Sequence, residues 1–188
     1  ADYSKVIDLD PSNAGIYTRR GRVLTITKDY EAAIKDFLLA KNFAPNDART
    51  RYYLGQAYAA LSQGKAAIAS YTEAISLKKN YGEALVARAE SYERSGKLES
   101  AETDLDLAIK TVSYRPERFL LKRGKYLLRR GRQEAALEDF VSARTSNKRH
   151  GPSWLGEAEV AHQLGKQEQA LYAVETFLKL KPTSQEGQ

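Results

Sequence analysis

Side chains able to do chemistry are few, and their spacing says what they are for. The only histidines are His150 and His162. His150 falls in a polar loop and His162 in a predicted helix of the last unit, where a lone His is a surface or groove residue far more often than a ligand or base. The acidic pairs Asp104/Asp106 and Glu138/Asp139 sit among basic neighbours and read as solvated faces, not an acid–base dyad. No phosphate loop, nucleophile elbow or metal-spaced cluster is present, so neither catalysis nor a cofactor is expected. Residues 115–132 are different. Arg115, Arg118, Lys122, Arg123, Lys125, Arg129, Arg130 and Arg132 stand against one acid, Glu117. That local excess of seven exceeds the net +6 of the whole chain, so the basicity is concentrated there. Arg118, Lys122, Lys125 and Arg129 follow one another at four, three and four residues, which places them on one stripe of a helix.

The rest of the composition suits a helical frame for such a stripe. Of the 188 residues, 42% are apolar and 29% charged, a folded and not a disordered profile. Five prolines leave long helix-favouring stretches rich in Ala, Leu, Glu, Lys and Arg. No apolar run approaches the roughly 18 residues of a membrane span. The absence of Cys excludes disulfides, thiolate catalysis and Cys-based zinc sites, and leaves the compartment open.

Internal repetition dominates the sequence. One unit reads as a large residue, a small residue four on and a hydrophobe three further, then small, aromatic and small residues spaced by four and three. Copies run Tyr17, Gly21, Leu24, Ala33, Phe37, Ala40, then Arg51, Gly55, Tyr58, Ala67, Tyr71, Ala74. The third is Leu85, Ala89, Tyr92, Ala101, Leu105, Ala108, and the fourth Leu120, Gly124, Leu127, Ala136, Phe140, Ala143. The fifth is Trp154, Ala158, Ala161, Ala170, Val174, Phe177. The small anchors Gly21, Gly55, Ala89, Gly124 and Ala158 are separated by 34, 34, 35 and 34 residues, with the extra residue expected in a loop near Tyr114-Arg115-Pro116. Three- and four-residue apolar spacing predicts two amphipathic helices per unit, broken at Ser62-Gln63-Gly64, Ser95-Gly96, Arg130-Gly131 and Leu164-Gly165.

This pattern resembles the tetratricopeptide repeat over essentially the whole chain. The resemblance implies an all-α, right-handed superhelical solenoid of antiparallel helix pairs. Expected boundaries are 14–47, 48–81, 82–116, 117–150 and 151–182, the last closed by Lys181-Pro182. Residues 1–10 read as the tail of a preceding truncated repeat and 183–188 as a polar tail. Arg20, Arg88 and Arg123 depart from the usual Leu at the seventh position.

In that family the first helix of each pair lines a concave groove. Carried over, the groove positions are Arg19 and Arg22, then Arg49, Tyr52, Tyr53 and Gln56, then Arg118, Lys122, Lys125 and Arg129, with Glu83, Glu90 and Glu93 between. The carboxylate clamp of chaperone-binding members is not expected, because only Arg118 and Lys122 match it while Tyr52, Gln56 and Ala87 do not. The leading expectation is a non-enzymatic adaptor that binds an acidic segment of a partner protein. Nucleic acid or another anionic surface, such as lipid headgroups, is a less favoured occupant of the basic stripe, and nucleic acid is disfavoured because aromatics are not interleaved with it. Self-association through open ends is a further alternative, and a neutral wall of exposed pairs worth about 0–1 kcal/mol each is the plain one.

Overall fold

The computed structural model describes residues 3–180. Among them are eleven helices and no strand. A short α1 (Tyr3–Leu9) precedes five pairs. These are α2 (Ala14–Ile26) with α3 (Tyr30–Phe43), α4 (Ala48–Ala60) with α5 (Gly64–Leu77), and α6 (Gly82–Arg94) with α7 (Leu98–Thr111). The remaining pairs are α8 (Glu117–Arg129) with α9 (Gln133–Ser146), and α10 (Gly151–Gln163) with α11 (Gln167–Leu180). Every first helix has 13 residues and every second helix 14. Lys181, Pro182 and the tail 183–188 lie outside the described residues, as do Ala1 and Asp2. The chain forms two compact units divided after Ala108.

The turn inside each pair repeats one backbone solution. Lys28, Ser62, Gly96, Gly131 and Gly165 all take positive φ, between 59° and 77°. The amide after each reaches back to the last turn of the first helix: Asp29 to Leu24, Gln63 to Tyr58, Lys97 to Tyr92, Arg132 to Leu127 and Lys166 to Ala161, at 2.8–2.9 Å. These are Schellman closures, which satisfy carbonyls that the helix end leaves orphaned. In the second pair Ser62 makes the left-handed turn, and Gly64 is already the first residue of α5. Between pairs, the connection 112–116 has five residues where 44–47, 78–81 and 147–150 have four, so the extra residue does fall there. Arg115 takes φ 55° in that loop.

Packing inside the pairs follows one residue couple. A Cβ placed on Gly21 would lie 2.7 Å from the Phe37 ring, on Gly55 2.5 Å from Tyr71, and on Gly124 2.8 Å from Phe140. The glycine is needed because the ring lies flat against the backbone of the first helix. Where the anchor is Ala89, the residue sixteen positions on is Leu105, buried and smaller than a ring; sixteen after Ala158 stands Val174, which is 40% exposed.

A second couple explains the unusual arginines. Arg20 grips Asp36 with both nitrogens at 2.7 Å, Arg88 grips Asp104 at 2.8 Å, and Arg123 grips Asp139 at 2.7–2.9 Å. Each acid is buried, and each pair joins the two helices of one repeat through a bidentate fork. Asp104 and Asp139 therefore are not the solvated acids that their neighbours suggested. In the second pair the same positions hold Leu54 and Ser70, both buried, an apolar version of the same join. In the fifth they hold Glu157 and Ala173; Glu157 is fully buried and is bonded instead by Arg144 and by Gln169, the latter at 2.7 Å.

Large residues at the start of the first helices tie down the preceding loop. The Tyr17 hydroxyl donates to the Pro11 carbonyl at 3.0 Å and the Trp154 indole to Lys148 at 2.8 Å. Arg51 donates to the carbonyls of Ala44 and Asp47 at 3.4 Å. A large body with a polar tip thus fills the core and satisfies a loop carbonyl at once.

Candidate interaction surfaces

In the unit that ends at Ala108, α4 starts at an effective cap. The Asp47 carboxylate accepts from the amides of Arg49 and Thr50 at 3.1 and 3.2 Å. Starting there, α4 buries Leu54, Gly55 and Ala57 and turns Tyr52, Tyr53 and Gln56 to a half-buried face. These three join an aromatic cluster. Tyr52 lies with ring centroids 5.5 Å from Tyr53, 6.0 Å from Tyr71 and 5.2 Å from Tyr81. Tyr53 stacks on Phe37 at 6.0 Å. The guanidinium of Arg22, from α2, lies 5.0 Å over the Tyr53 ring, a cation–π contact on an exposed surface. Gln56 donates its amide to the Tyr52 hydroxyl at 2.9 Å, which fixes both side chains. Burial pushes the Tyr71 and Tyr81 hydroxyls far above the ordinary tyrosine range, and Tyr52 adds to it. They stay neutral, and the charges around them are mixed, Arg49 and Arg94 against Glu83 and Glu90.

Arg22, Tyr52, Tyr53 and Gln56 are thus brought together. Arg49 is exposed on the first turn of α4, close enough to Tyr81 to act on its hydroxyl against Glu83. Arg19 is exposed on α2, with no contact that ties it to the cluster. Tyr81 escaped the sequence reading. It occupies the cap position of α6, in a turn and outside the first-helix positions, and only its spacing from Tyr71 and Tyr52 in the fold makes it part of the cluster.

In the unit that begins at Ile109, α8 shows a clean division. Leu120, Gly124 and Leu127 are buried, and Arg118, Lys122, Lys125 and Arg129 are all exposed. The stripe is a real face of that helix.

Beside it lies a buried polar knot. Glu117 is almost fully buried, held by Arg115 and by the side-chain amide of Asn147, each at 3.3 Å. Burial pushes its carboxyl up, but its own backbone amide, Asn147 and Arg115 outweigh that and hold it below the usual carboxylate value. His150 is half-buried, with Nδ1 2.6 Å from the Ser153 hydroxyl, and burial lowers its pKa despite the opposing pull of Glu117. Ser153 is fully buried, so this bond ties down the start of α10 and presents no nucleophile. His162 is exposed. Among the described residues no group of three or more His, Cys, Asp or Glu could hold a metal ion, and no helix is long and apolar enough to cross a membrane.

No curated protein sequence matches the chain. Its backbone matches solved structures. Yeast Tom70 superposes with a TM-score of 0.79 at 22% identity, over 96% of this chain and 39% of that one. Pseudomonas aeruginosa PilF gives 0.78 at 17% identity, over 93% and 79%. YrrB, a TPR protein described as having an unusual peptide-binding site, gives 0.65 at 16% identity, over 98% and 94%. At these identities the likeness concerns the fold. Two tetratricopeptide-repeat family models match the sequence itself, one over residues 14–47 and the other over 52–116, 86–147 and 121–184. With helix pairs of constant length and one turn geometry throughout, the chain belongs to the tetratricopeptide repeat family, an all-α solenoid array whose general role is protein–protein interaction.

Proposed function

We propose that the chain is a non-enzymatic adaptor that holds an acidic, partly apolar segment of a partner protein. The observation that carries this reading is Arg22 lying over Tyr53, beside Tyr52 and Gln56. A guanidinium on an aromatic face offers a carboxylate and an apolar side chain adjoining places to dock. Arg49 enlarges the basic rim of that surface, Arg19 adds positive charge elsewhere on α2, and Arg118, Lys122, Lys125 and Arg129 supply a second basic surface. The described peptide-binding site of YrrB, a protein of the same fold, agrees with peptide capture as the mode of work. The test is a screen of peptides 10–15 residues long against the wild-type chain and two variants, R22A/Y53A and K122E/K125E. Acidic, partly apolar peptides are expected to bind, and each variant to weaken them. Single-stranded oligonucleotide, with a steep salt dependence, is the competing ligand to be run beside them.

A second reading has its own observation. Leu171 and Leu178 of α11 are 63% and 56% exposed, and Leu155 of α10 is 51% exposed. One repeat earlier, Leu137 and Phe140 occupy the positions of Leu171 and Val174 and are buried where α9 packs on α10. This exposed apolar face favours self-association through α10 and α11, which predicts a mass that rises with protein concentration.

A further inference from the structure

We propose that the chain carries a second binding site, for an aliphatic carboxylate, in a cavity where α4 and α6 end and the chain turns into α5 and α7. The cavity measures about 670 Å³, within the range of small-ligand sites. None of its lining residues belongs to the aromatic–basic surface on α2 and α4. Lys65, Arg94 and Lys97 converge on it, and no acidic side chain lines it. None of these three cations forms an ion pair with a carboxylate among the described residues. Arg94 uses Nε on the Glu90 carbonyl at 3.2 Å, which leaves the outer nitrogens of its fork for a ligand. The Ser62 hydroxyl, on the left-handed residue of the turn, adds a donor at the rim. Three like charges around one cavity repel one another, and a bound anion relieves that repulsion.

The floor decides the kind of anion. Ala59 and Ile68 line it, and Gly64 leaves further space open, with nothing within 4 Å of where a Cβ would lie. The aliphatic stems of the lysines extend this apolar wall. A hydrophilic ion such as acetate leaves that surface wet, and an alcohol of the same length leaves the cations unpaired. A ligand with several carbons behind one carboxylate uses both. Two sources present that chemistry: a free aliphatic acid, and the last residue of a peptide that ends in Leu.

The test is an amide-resolved NMR titration of the whole chain with octanoate, octanol and acetate, and with a Leu-terminated pentapeptide as free acid and as amide. Saturable shifts at Gly64, Lys65, Ser95 and Lys97 are expected for octanoate, for the peptide acid, or for both. Octanol, acetate and the peptide amide should bind at least tenfold more weakly. Binding by octanoate alone assigns the site to a free acid, and binding by the peptide acid alone to a chain terminus. K65E/R94E, or the milder K65Q/R94Q, should lose at least tenfold in affinity, while the charge-matched control K35E/K79E binds as wild type. The proposal is overturned if neither acid shifts those amides, if octanol matches octanoate, or if both cavity variants bind unchanged. Loss of groove-peptide binding in R22A/Y53A has no effect on these shifts, so the two sites stand or fall separately.

Discussion

The Tyr71 ring lies so close to the backbone of Gly55 that a Cβ there would be 2.5 Å from its Cε1 atom. The two residues are sixteen apart and hold α4 against α5. The same spacing relates Gly21 to Phe37 and Gly124 to Phe140. In the third pair, Ala89 stands for the glycine and buried Leu105 for the ring, the exchange of volume that close packing favours.

G55A should therefore destabilise the chain by about 1–3 kcal/mol, the usual cost of overpacking. G55A/Y71L reproduces the Ala89/Leu105 couple and should recover part of that loss. Chemical denaturation of wild type, both single variants and the double variant gives the coupling energy. Strict additivity would show that the contact does not set the fit.

The arginine–aspartate joins make a similar prediction with polar atoms. Removing one partner, as in D104S, leaves the Arg88 fork facing a largely buried site and should cost about 1.5–3 kcal/mol. R88L/D104S copies Leu54 and Ser70 of the second repeat and should be far less damaging than D104S alone. Replacing a buried ion pair by a packed apolar residue is often close to neutral. Thermal unfolding of the three variants distinguishes the outcomes.

Lys28 carries a side chain at the left-handed turn position that Gly96, Gly131 and Gly165 fill elsewhere. K28G relieves that conformation while adding freedom to the unfolded chain. The net expectation is stabilisation of about 0.5–1 kcal/mol, read from the denaturation midpoint.

The knot around Glu117 and His150 makes stability depend on pH. Both groups have folded-state values below their ordinary ones, 4.5 and 6.5. A lowered value means the unfolded chain takes up the proton first, so each contribution is complete above the ordinary value and is lost as pH falls through the folded one. Stability should decline in two stages on acidification, first below pH 6.5 from His150, then below pH 4.5 from Glu117. H150N should remove the first stage and E117Q the second, in unfolding curves recorded across the pH range.

Much of this architecture was legible because the small–aromatic couples recur at a fixed interval, and a 34-residue period survives large changes at other positions. The joins of Arg20, Arg88 and Arg123 were not. Their acids lie sixteen residues away across a turn, outside any helical spacing, and Asp104 and Asp139 sit beside other acids that disguise them as surface. The turn of the second repeat falls inside the expected Ser62-Gln63-Gly64 break, with Ser62 as its left-handed residue. On the candidate surface, the stripe of α8 followed from helical spacing, while the side chains of α4 were expected only from the family resemblance. Tyr81 did not, because a residue in a turn has no periodic face to predict.

The central claim is that the aromatic–basic surface of α2 and α4 takes an acidic partner segment. Its most direct test is the affinity of a fluorescent acidic, partly apolar peptide from the screen for wild type and R22A/Y53A, by anisotropy at fixed salt. At least a tenfold loss is predicted in the variant at a temperature where both proteins are fully folded, a condition that matters because Tyr53 also packs on Phe37. Equal affinity in the two proteins would contradict the claim.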